Sequence, residues 1–452
     1  MNADIAETKD QVAPKEMVAP KEMVAPKEMA APKERAETRA TRSFDIVVVG
    51  AGPIGLAAGM AFAHAGLSVA AIGPTQPPAA PGRTTALLDG SVRFLEAIGA
   101  WDEDALGQAP LAELAIIDDT GSLFRIPPVI FHAGELELPA FGYNVENKDL
   151  VAVLADRASR TPGLTLLPQF AVDLHVGDDV ARVTLDDGSS VEAKLVVAAD
   201  GRLSRMRDAA GIACHERSYP QIAITAILSH DRSHRDRSTE FHTRQGPFTL
   251  VPLPGRRSSL VWVCAEKEAE ALQALDAAAF GRAVERQAQS MLGAMRLEGQ
   301  RGAFPLAMLT AERLVSPRLA LVGETAHVLP PIGAQGLNLG LRDVAALRDA
   351  VVEAHKQGAD FGAAAVLAGY ARDRKTDIAL RVGAIDLMNR SLMTDLLPVD
   401  GLRGAALLAL ASVTPIRRLA MREGLRPSLF PPRLAHGVAK SRWDKTALEN
   451  GL

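Results

Sequence analysis

The sequence predicts an α/β fold in which a parallel, doubly wound sheet is interleaved with an antiparallel one and followed by a helical C-terminal region. Three observations carry this. Residues 44 to 73, FDIVVVGAGPIGLAAGMAFAHAGLSVAAIG, read as strand, glycine turn, helix and strand within about 30 residues, the length of a βαβ unit. Between residues 216 and 265 the segments IAITAILSH, TEFHTR, FTLVPLP and SSLVWVCA are spaced like antiparallel strands. From Asp343 onward the pattern is helical, with breaks at Pro398, Pro415, Pro427, Pro431 and Pro432.

Composition narrows the function. A chain of 452 residues that is 48% hydrophobic can bury a large core in two or three lobes. A net charge of −4 argues against a nucleic-acid partner, which needs clustered excess Lys and Arg. Cys214 and Cys264 are the only cysteines and lack metal-ligand or disulfide-framework spacing, so a reducing compartment and no metal site are expected. Residues 46 to 73 hold only His64 and Ser68 as clearly polar side chains, yet glycines punctuate the run and divide it into buried elements rather than a membrane span. Gly404 to Ile416 is too short to cross a bilayer. A soluble, cytoplasmic protein is expected.

Residues 1 to 42 begin with a six-residue repeat, MVAPKE from Met17 and Met23 and MAAPKE from Met29. Recurrent proline and balanced Lys-Glu pairs with little apolar bulk predict a disordered spacer, and the tail has neither a secretory nor a transit pattern.

The run up to Val49 is β-type, and Gly50, Gly52 and Gly55 follow at once. In this context Gly50 allows the tight turn, Gly52 lets backbone approach a pyrophosphate, Gly55 lets the helix pack close to the strand, and the helix N-terminus meets the phosphates. An acid is expected about 20 residues on, to hold a ribose hydroxyl. Gly73 stands there instead, so the sequence predicts a weak ribose contact that Gly73→Glu leaves unchanged or tightens. Arg83 is the first cation after the proline-rich loop and suits phosphate, although an ordinary surface arginine reads the same way.

Residues 113 to 139 read as short strands with an exposed loop, and a helix is expected from about Lys148. Asp187-Gly188 marks a hairpin before a buried strand that ends at Ala199. Asp200 and Gly201 close that strand, with Ser204 and Arg207 at helical spacing beyond. Asp200, the Gly201 backbone and Arg207 converge on one polar ligand in one reading, and form an ordinary strand-end turn in the other. A helical stretch is expected from Glu266 to Leu297, and His230, His234 and His242 read as surface or satisfied histidines. RLALVGE then returns to the first sheet. In the stretch 322 to 343, VGETAHVLPPIGAQGLNLGLRD, a turn at Gly323, an acid at Glu324, the rigid Pro330-Pro331 pair and Gly333, Gly336 and Gly340 precede a helix starting near Leu337, whose positive end suits a planar anion.

Together, GAGPIG at 50 to 55, ADGRLSRMR at 199 to 207 and GETAHVLPPIGAQGLNLGLRD at 323 to 343 resemble the single-component FAD-dependent aromatic hydroxylases, the para-hydroxybenzoate hydroxylase-like superfamily. RTTALLDGSVRFLEAIGAW and FGYNVENKDL add a resemblance to its ubiquinone-biosynthesis hydroxylase branch, over about Phe44 to Leu425. The resemblance implies a Rossmann-like FAD-binding domain (43–112, 140–215 and 306–365), an interleaved antiparallel-sheet substrate domain (113–139 and 216–305) and a helical C-terminal region (366–452). It implies that Gly50, Gly52, Pro53, Gly55 and Arg83 hold the FAD pyrophosphate and that Asp200, Gly201 and Arg207 serve flavin and nicotinamide. Gly323 and Glu324, the latter in place of the family's Asp, would hold the ribityl chain. Pro331, which positions flavin and substrate, and Gly333, Gln335, Gly336, Leu337 and Asn338 would line the isoalloxazine ring.

The activity implied is aromatic hydroxylation of a polyprenyl-phenol ubiquinone precursor. NADH or NADPH gives hydride, O2 is captured as a flavin C4a-hydroperoxide, and an electrophilic oxygen reaches the ring; no general base is identified. A single GxGxxG and the lack of a redox cysteine pair argue against a disulfide reductase, and scattered tryptophans against a halogenase. Two alternatives stand: a hydroxylase of a small soluble aromatic, with a closed polar pocket and an arginine for a carboxylate, or a non-catalytic flavin-binding scaffold. Other ubiquinone-biosynthesis enzymes and a membrane surface are the expected partners. Residues after Ala371 carry 14 Lys and Arg against 8 Asp and Glu, and Arg418, Arg422 and Arg426 share a helical face beside Ile416, Leu419 and Leu425.

Overall fold

The computed structural model describes residues 41–75, 82–122, 126–394 and 397–425. The repeat tail and Arg426 lie outside the described residues. Strand β1 (Arg42–Val49) begins two residues before the expected Phe44, and its Ile46–Val49 run is buried on both faces, as parallel strands require. The chain turns through Gly50 into α1 (Pro53–Ala63), buried from Gly55 to Ala63, and on to β2 (Val69–Ile72). The apolar run is thus strand, helix and strand in a core, and no single described helix is long and apolar enough to cross a membrane.

Strand β3 (Thr84–Leu88), α2 (Asp89–Ala97) and α3 (Glu103–Leu106) follow. Next come β4 (Ala109–Pro110), β5 (Glu113–Asp118), β6 (Val129–His132), a 3-10 turn over Ala133–Leu136, β7 (Gly142–Glu146) and α4 (Asn147–Ser159). After β8 (Leu164–Leu167) and β9 (Ala171–Val176), the expected hairpin joins β10 (Ala181–Leu185) to β11 (Ser190–Ala198). A short α5 (Arg205–Ala209) leads to β12 (Cys214–His230), β13 (Arg237–Thr243), β14 (Gly246–Leu253) and β15 (Arg257–Ala265). Helices α6 (Glu266–Ala274) and α7 (Ala277–Gln287) precede β16 (Met295–Ala311), β17 (Val315–Ser316), β18 (Leu319–Leu321) and β19 (His327–Val328). Four helices close the described chain: α8 (Gln335–Lys356), α9 (Ala364–Leu392), α10 (Leu397–Ser412) and α11 (Thr414–Leu425).

The first sheet runs β17-β18-β11-β1-β2-β8, with β10 and β9 continuing from β11. Strands β18, β11, β1, β2 and β8 are parallel, so the ends of β1, β2, β11 and β18 share one edge. The second sheet runs β19-β16-β12-β15-β14-β13-β5-β6, antiparallel except where β13 pairs with β5. Strands β3, β7 and β4 form a small third sheet. The fold class is the one the sequence predicts.

One element differs. The helical stretch expected to reach Leu297 stops at Gln287, and Met295 opens a 17-residue strand along β12. Residues 295–303 are half exposed, and the register shifts between Thr225 and Ile227, so this strand shows no clean apolar alternation to read.

Candidate active site

At the shared edge of the parallel strands the chain opens a cavity of about 1230 Å3, larger than the roughly 300–1,000 Å3 of a pocket for one small ligand. Gly50, Gly52, Pro53, Gly73, Asp200, Gly201, Gly323 and Glu324 form one side of it, and side chains of the second sheet form the other.

The first side is made of backbone. Gly50 sits at φ +110°, and a Cβ there would lie 2.2 Å from the Ala199 carbonyl oxygen. At Gly55 a Cβ would lie 1.7 Å from the Gly50 oxygen, so this glycine closes the turn and does not line the cavity. At Gly52 a Cβ would meet no protein atom within 4 Å. The turn therefore leaves open space at the N-terminus of α1, where Pro53 gives up no needed donor and the unpaired first-turn amides favour an anion. Arg83 is exposed beside this space, its guanidinium 5.0 Å from the Phe304 ring centroid.

Glu324 is exposed into the cavity from the 3-10 turn Gly323–Thr325, and a buried network holds that turn. Asp343 of α8 accepts the Gly323 amide at 3.0 Å, His327 Nε2 at 2.6 Å and Arg374 Nε at 2.8 Å, with His327 and Asp343 fully buried. Burial pushes the Asp343 carboxyl up, but His327 and Arg374 outweigh it and hold it below the ordinary carboxylate value. Asp377 accepts from Arg374 and Arg381, both at 2.8 Å; burial raises its carboxyl too, and Arg342, Arg374 and Arg381 bring it below its ordinary value. Arg381 also donates to Gln335 Oε1 at 2.7 Å and to the Glu423 carbonyl of α11 at 2.9 Å. Helix α8 starts at Gln335, two residues before the expected Leu337, after Ala334 in the left-handed region at φ 54°. Pro330, Pro331, Gly333, Gln335, Gly336 and Leu337 all border the cavity, so the positive end of a 22-residue helix opens onto it.

Four sequence expectations need correction. Arg207 does not line the cavity: its guanidinium is buried and donates to the carbonyls of Arg202 at 3.0 Å and Thr325 at 3.2 Å, because α5 turns it beneath the loop. Asp200 borders the cavity, but its carboxylate accepts from the Ser204 hydroxyl at 2.6 Å and the Met206 amide at 3.2 Å. Asn338 is likewise 1% exposed and ties α8 to β3, accepting the Leu88 amide at 2.9 Å and donating to the Ala86 carbonyl at 2.8 Å. Gly73 is no vacant place for an acid: it lies at φ +133°, and a Cβ would stand 3.0 Å from the Ala51 amide nitrogen. Glutamate there strains the end of β2.

The opposite side is made of side chains. Leu111, Leu114, Ile116, Phe131, Val251 and Val261 make it largely apolar, and Glu113, Ser238, Glu240 and Thr249 are polar residues among them. Met421, Gly424 and Leu425 of α11 border it as well. Sequence reading set His242 aside as scattered, but it lies two residues from Glu240 on β13 and bonds to it at 2.8 Å. The period-two placement of Ser238, Glu240 and His242 is the signal that would have found the group.

A glycine cradle at the edge of a parallel sheet, facing a cavity walled by a second sheet, is the arrangement of a FAD-dependent monooxygenase. The FAD binding domain family matches residues 43–379. The ubiquinone hydroxylase UbiL of Rhodospirillum rubrum is 37% identical over 409 residues, 88% of this chain and 94% of that protein. The 3-demethoxyubiquinol 3-hydroxylase of Escherichia coli is 32% identical, covering 84% of this chain and 98% of that one. Among solved structures, p-nitrophenol 4-monooxygenase PnpA from Pseudomonas putida has the same fold, with a TM-score of 0.69 at 19% identity over 85% of this chain and 99% of that chain. The chain belongs to the FAD binding domain family and, within it, to the ubiquinone hydroxylases; it is a FAD-dependent aromatic-ring monooxygenase. The residues present fit FAD: the open space at Gly52 admits a pyrophosphate, Glu324 faces the cavity, and α8 opens beside Pro331.

Proposed function

We propose that the chain hydroxylates the aromatic ring of a polyprenyl phenol on the way to ubiquinone, with NADH or NADPH as hydride donor. The observation that carries this reading is the lining of the cavity, in which Gly52 and Pro331 share one large space with the apolar side chains of the second sheet and with Met421 and Leu425 of α11. A small carboxylated aromatic would need an arginine among the apolar side chains of β5, β6, β13, β14 and β15, and among the described residues the arginines that line the cavity, Arg83 and Arg205, lie outside those strands. Reduced FAD, when bound, supplies the activation of O2 for transfer to the ring. Gly50, Gly52, Pro53 and Arg83 would hold its pyrophosphate and Glu324 its ribityl chain. Gly333, Gln335, Gly336 and Leu337 would border its ring, and the α8 N-terminus would stabilise negative charge there. The apolar wall would exclude water and align the phenol. Purified FAD-loaded protein should oxidise NAD(P)H faster when given phenols of increasing prenyl length and should release the hydroxylated ring, detected by mass. Stimulation by short carboxylated aromatics alone would overturn the substrate reading, and stimulation by none would support a scaffold.

A membrane route fits the same cavity. The inner face of α11 lines it through Met421, Gly424 and Leu425, while the outer face exposes Ile416 and Leu419. Leu402, Leu408 and Val413, exposed on and just beyond α10, extend the apolar surface, and Arg418 and Arg422 are exposed among these residues. Such a surface suits reversible docking on anionic lipid, from which a prenyl chain would pass beneath α11.

A further inference from the structure

Most ionisable groups around the cavity are already committed. Glu113 is bound by Arg237 at 2.5 Å and approached by His132 at 3.1 Å, Lys148 pairs with Glu146 at 2.9 Å, and Asp200 caps its own loop. Arg83 and Glu324 belong to the cradle. Glu240 is different: it is 9% exposed, borders the cavity and sits among Leu114, Ile116, Val251 and Val261. A carboxylate in an apolar wall costs stability unless it is hydrogen-bonded, and such placement marks functional groups.

Its geometry is built. Strand alternation puts Ser238, Glu240 and His242 on one face of β13, while Phe241 packs into the core behind. His242, 4% exposed, holds Glu240 Oε1 at 2.8 Å through Nε2, and the Thr249 hydroxyl reaches Oε2 at 3.3 Å. An ionised carboxylate only accepts, so His242 Nε2 carries the proton, and its Nδ1 remains buried with no hydrogen-bond partner. Across the sheet, Ile116 lies opposite Glu240, and Asp118 lies opposite His242. Arg403 of α10 stands 4.0 Å from Asp118. The imidazole thus fixes one carboxylate oxygen and leaves lone pairs on both for a ligand.

We propose that Glu240, positioned by His242, is the base that accepts the phenolic proton of the substrate. This rests on the phenol reading above. A phenol with an ordinary pKa of about 10 is neutral near pH 7, and its ring is then a poor nucleophile. As the substrate O–H bond breaks, an O–H bond forms on Glu240 and the electron pair stays on the phenolic oxygen, raising electron density in the ring. No redox change accompanies the step. When the hydroxylated ring regains aromaticity it loses the ring-carbon proton to solvent, and Glu240 returns its proton to the phenolic oxygen.

The test uses FAD-loaded parent, Glu240→Gln, Glu240→Asp, His242→Ala and His242→Gln. The absorbance of a bound alkyl-4-nitrophenol reports ionisation directly, and hydroxylated product per NAD(P)H oxidised is followed against pH. The parent should hold the probe as phenolate at a pH where free probe is neutral, and Glu240→Gln should abolish this. Its product yield should fall by about 10²–10⁴-fold near neutrality, the usual range for general base catalysis, and recover as pH rises through the probe's own ionisation. Glu240→Asp should fall between the two. His242→Gln, which keeps a donor near Nε2, should restore part of what His242→Ala loses. An unchanged probe spectrum and pH profile in Glu240→Gln would overturn the assignment, and so would retained function in Glu240→Asp and His242→Ala should Glu240→Gln not fold. A parent that binds FAD but no phenol would instead overturn the substrate reading.

Discussion

The two walls of the cavity are made in different ways. The cradle wall consists of main chain from α1, the turn at Gly323 and the start of α8, and its glycines act by leaving room. The opposite wall consists of side chains from β5, β6, β13, β14 and β15, which act by what they present. Main chain pre-positioned by a sheet serves a cofactor that never changes. A wall of side chains can be altered residue by residue to suit a substrate while the cradle stays intact.

Four experiments would break or sharpen that contrast. The largest effect is expected at the cradle: because a Cβ at Gly52 meets no protein atom, Gly52→Val should fold normally yet lose bound FAD on purification. A variant still yellow at one flavin per chain would break the comparison. Next comes the support behind it. Asp343→Asn removes the charge that Arg374 and His327 share and leaves Arg374 with Asp377 alone, and breaking a buried pair typically costs about 3–5 kcal/mol, here reduced by the partner that remains. The folded-state pKa of Asp343 lies below its ordinary value, so its stabilising contribution is fully present above that value and is lost as pH falls through the folded pKa. Asp343→Asn should therefore unfold at lower denaturant at pH 7 and depend less on pH in the acid limb, as read by chemical denaturation. Equal midpoints at pH 7 would remove the network from the cradle's support.

Smaller effects should follow at the margins. Gly73→Glu should weaken FAD binding with an overpacking cost of about 1–3 kcal/mol, measured by flavin fluorescence titration, since both the φ and the Ala51 contact oppose a side chain. Unchanged affinity would restore the reading of a ribose site that lacks only its acid. Exchanging Arg418 and Arg422 for Ser should weaken sedimentation with anionic vesicles by roughly 1 kcal/mol per residue and leave FAD content unchanged. Equal binding at low salt would confine function to the cavity itself.

The contrast also explains what was legible from sequence. A wall of backbone needs glycine and proline at fixed short spacings, so GAGPIG and PPIGAQG announce it, and the second locates the start of α8 within two residues. A wall of side chains is assembled by register, and nothing in RSTEFHT or FTLVPLP shows that Glu240 will face Thr249. Arg207 and Asn338 were misjudged for a related reason: their residue types suit ligands, but their amides and guanidinium are consumed by Thr325, Leu88 and Ala86, partners more than a hundred positions away. The expected helix past Gln287 failed because its replacement, β16, is held by β12 rather than by its own pattern.

Arg381 ties the cradle to α11. One of its nitrogens holds Gln335 where α8 meets the cradle, and another holds the Glu423 carbonyl. Any displacement of α11 would break the second bond and leave the guanidinium held by Gln335 and Asp377. The start of α8 and the end of α11 thus share one cation, and a change in the position of either helix is met by the other through a single side chain.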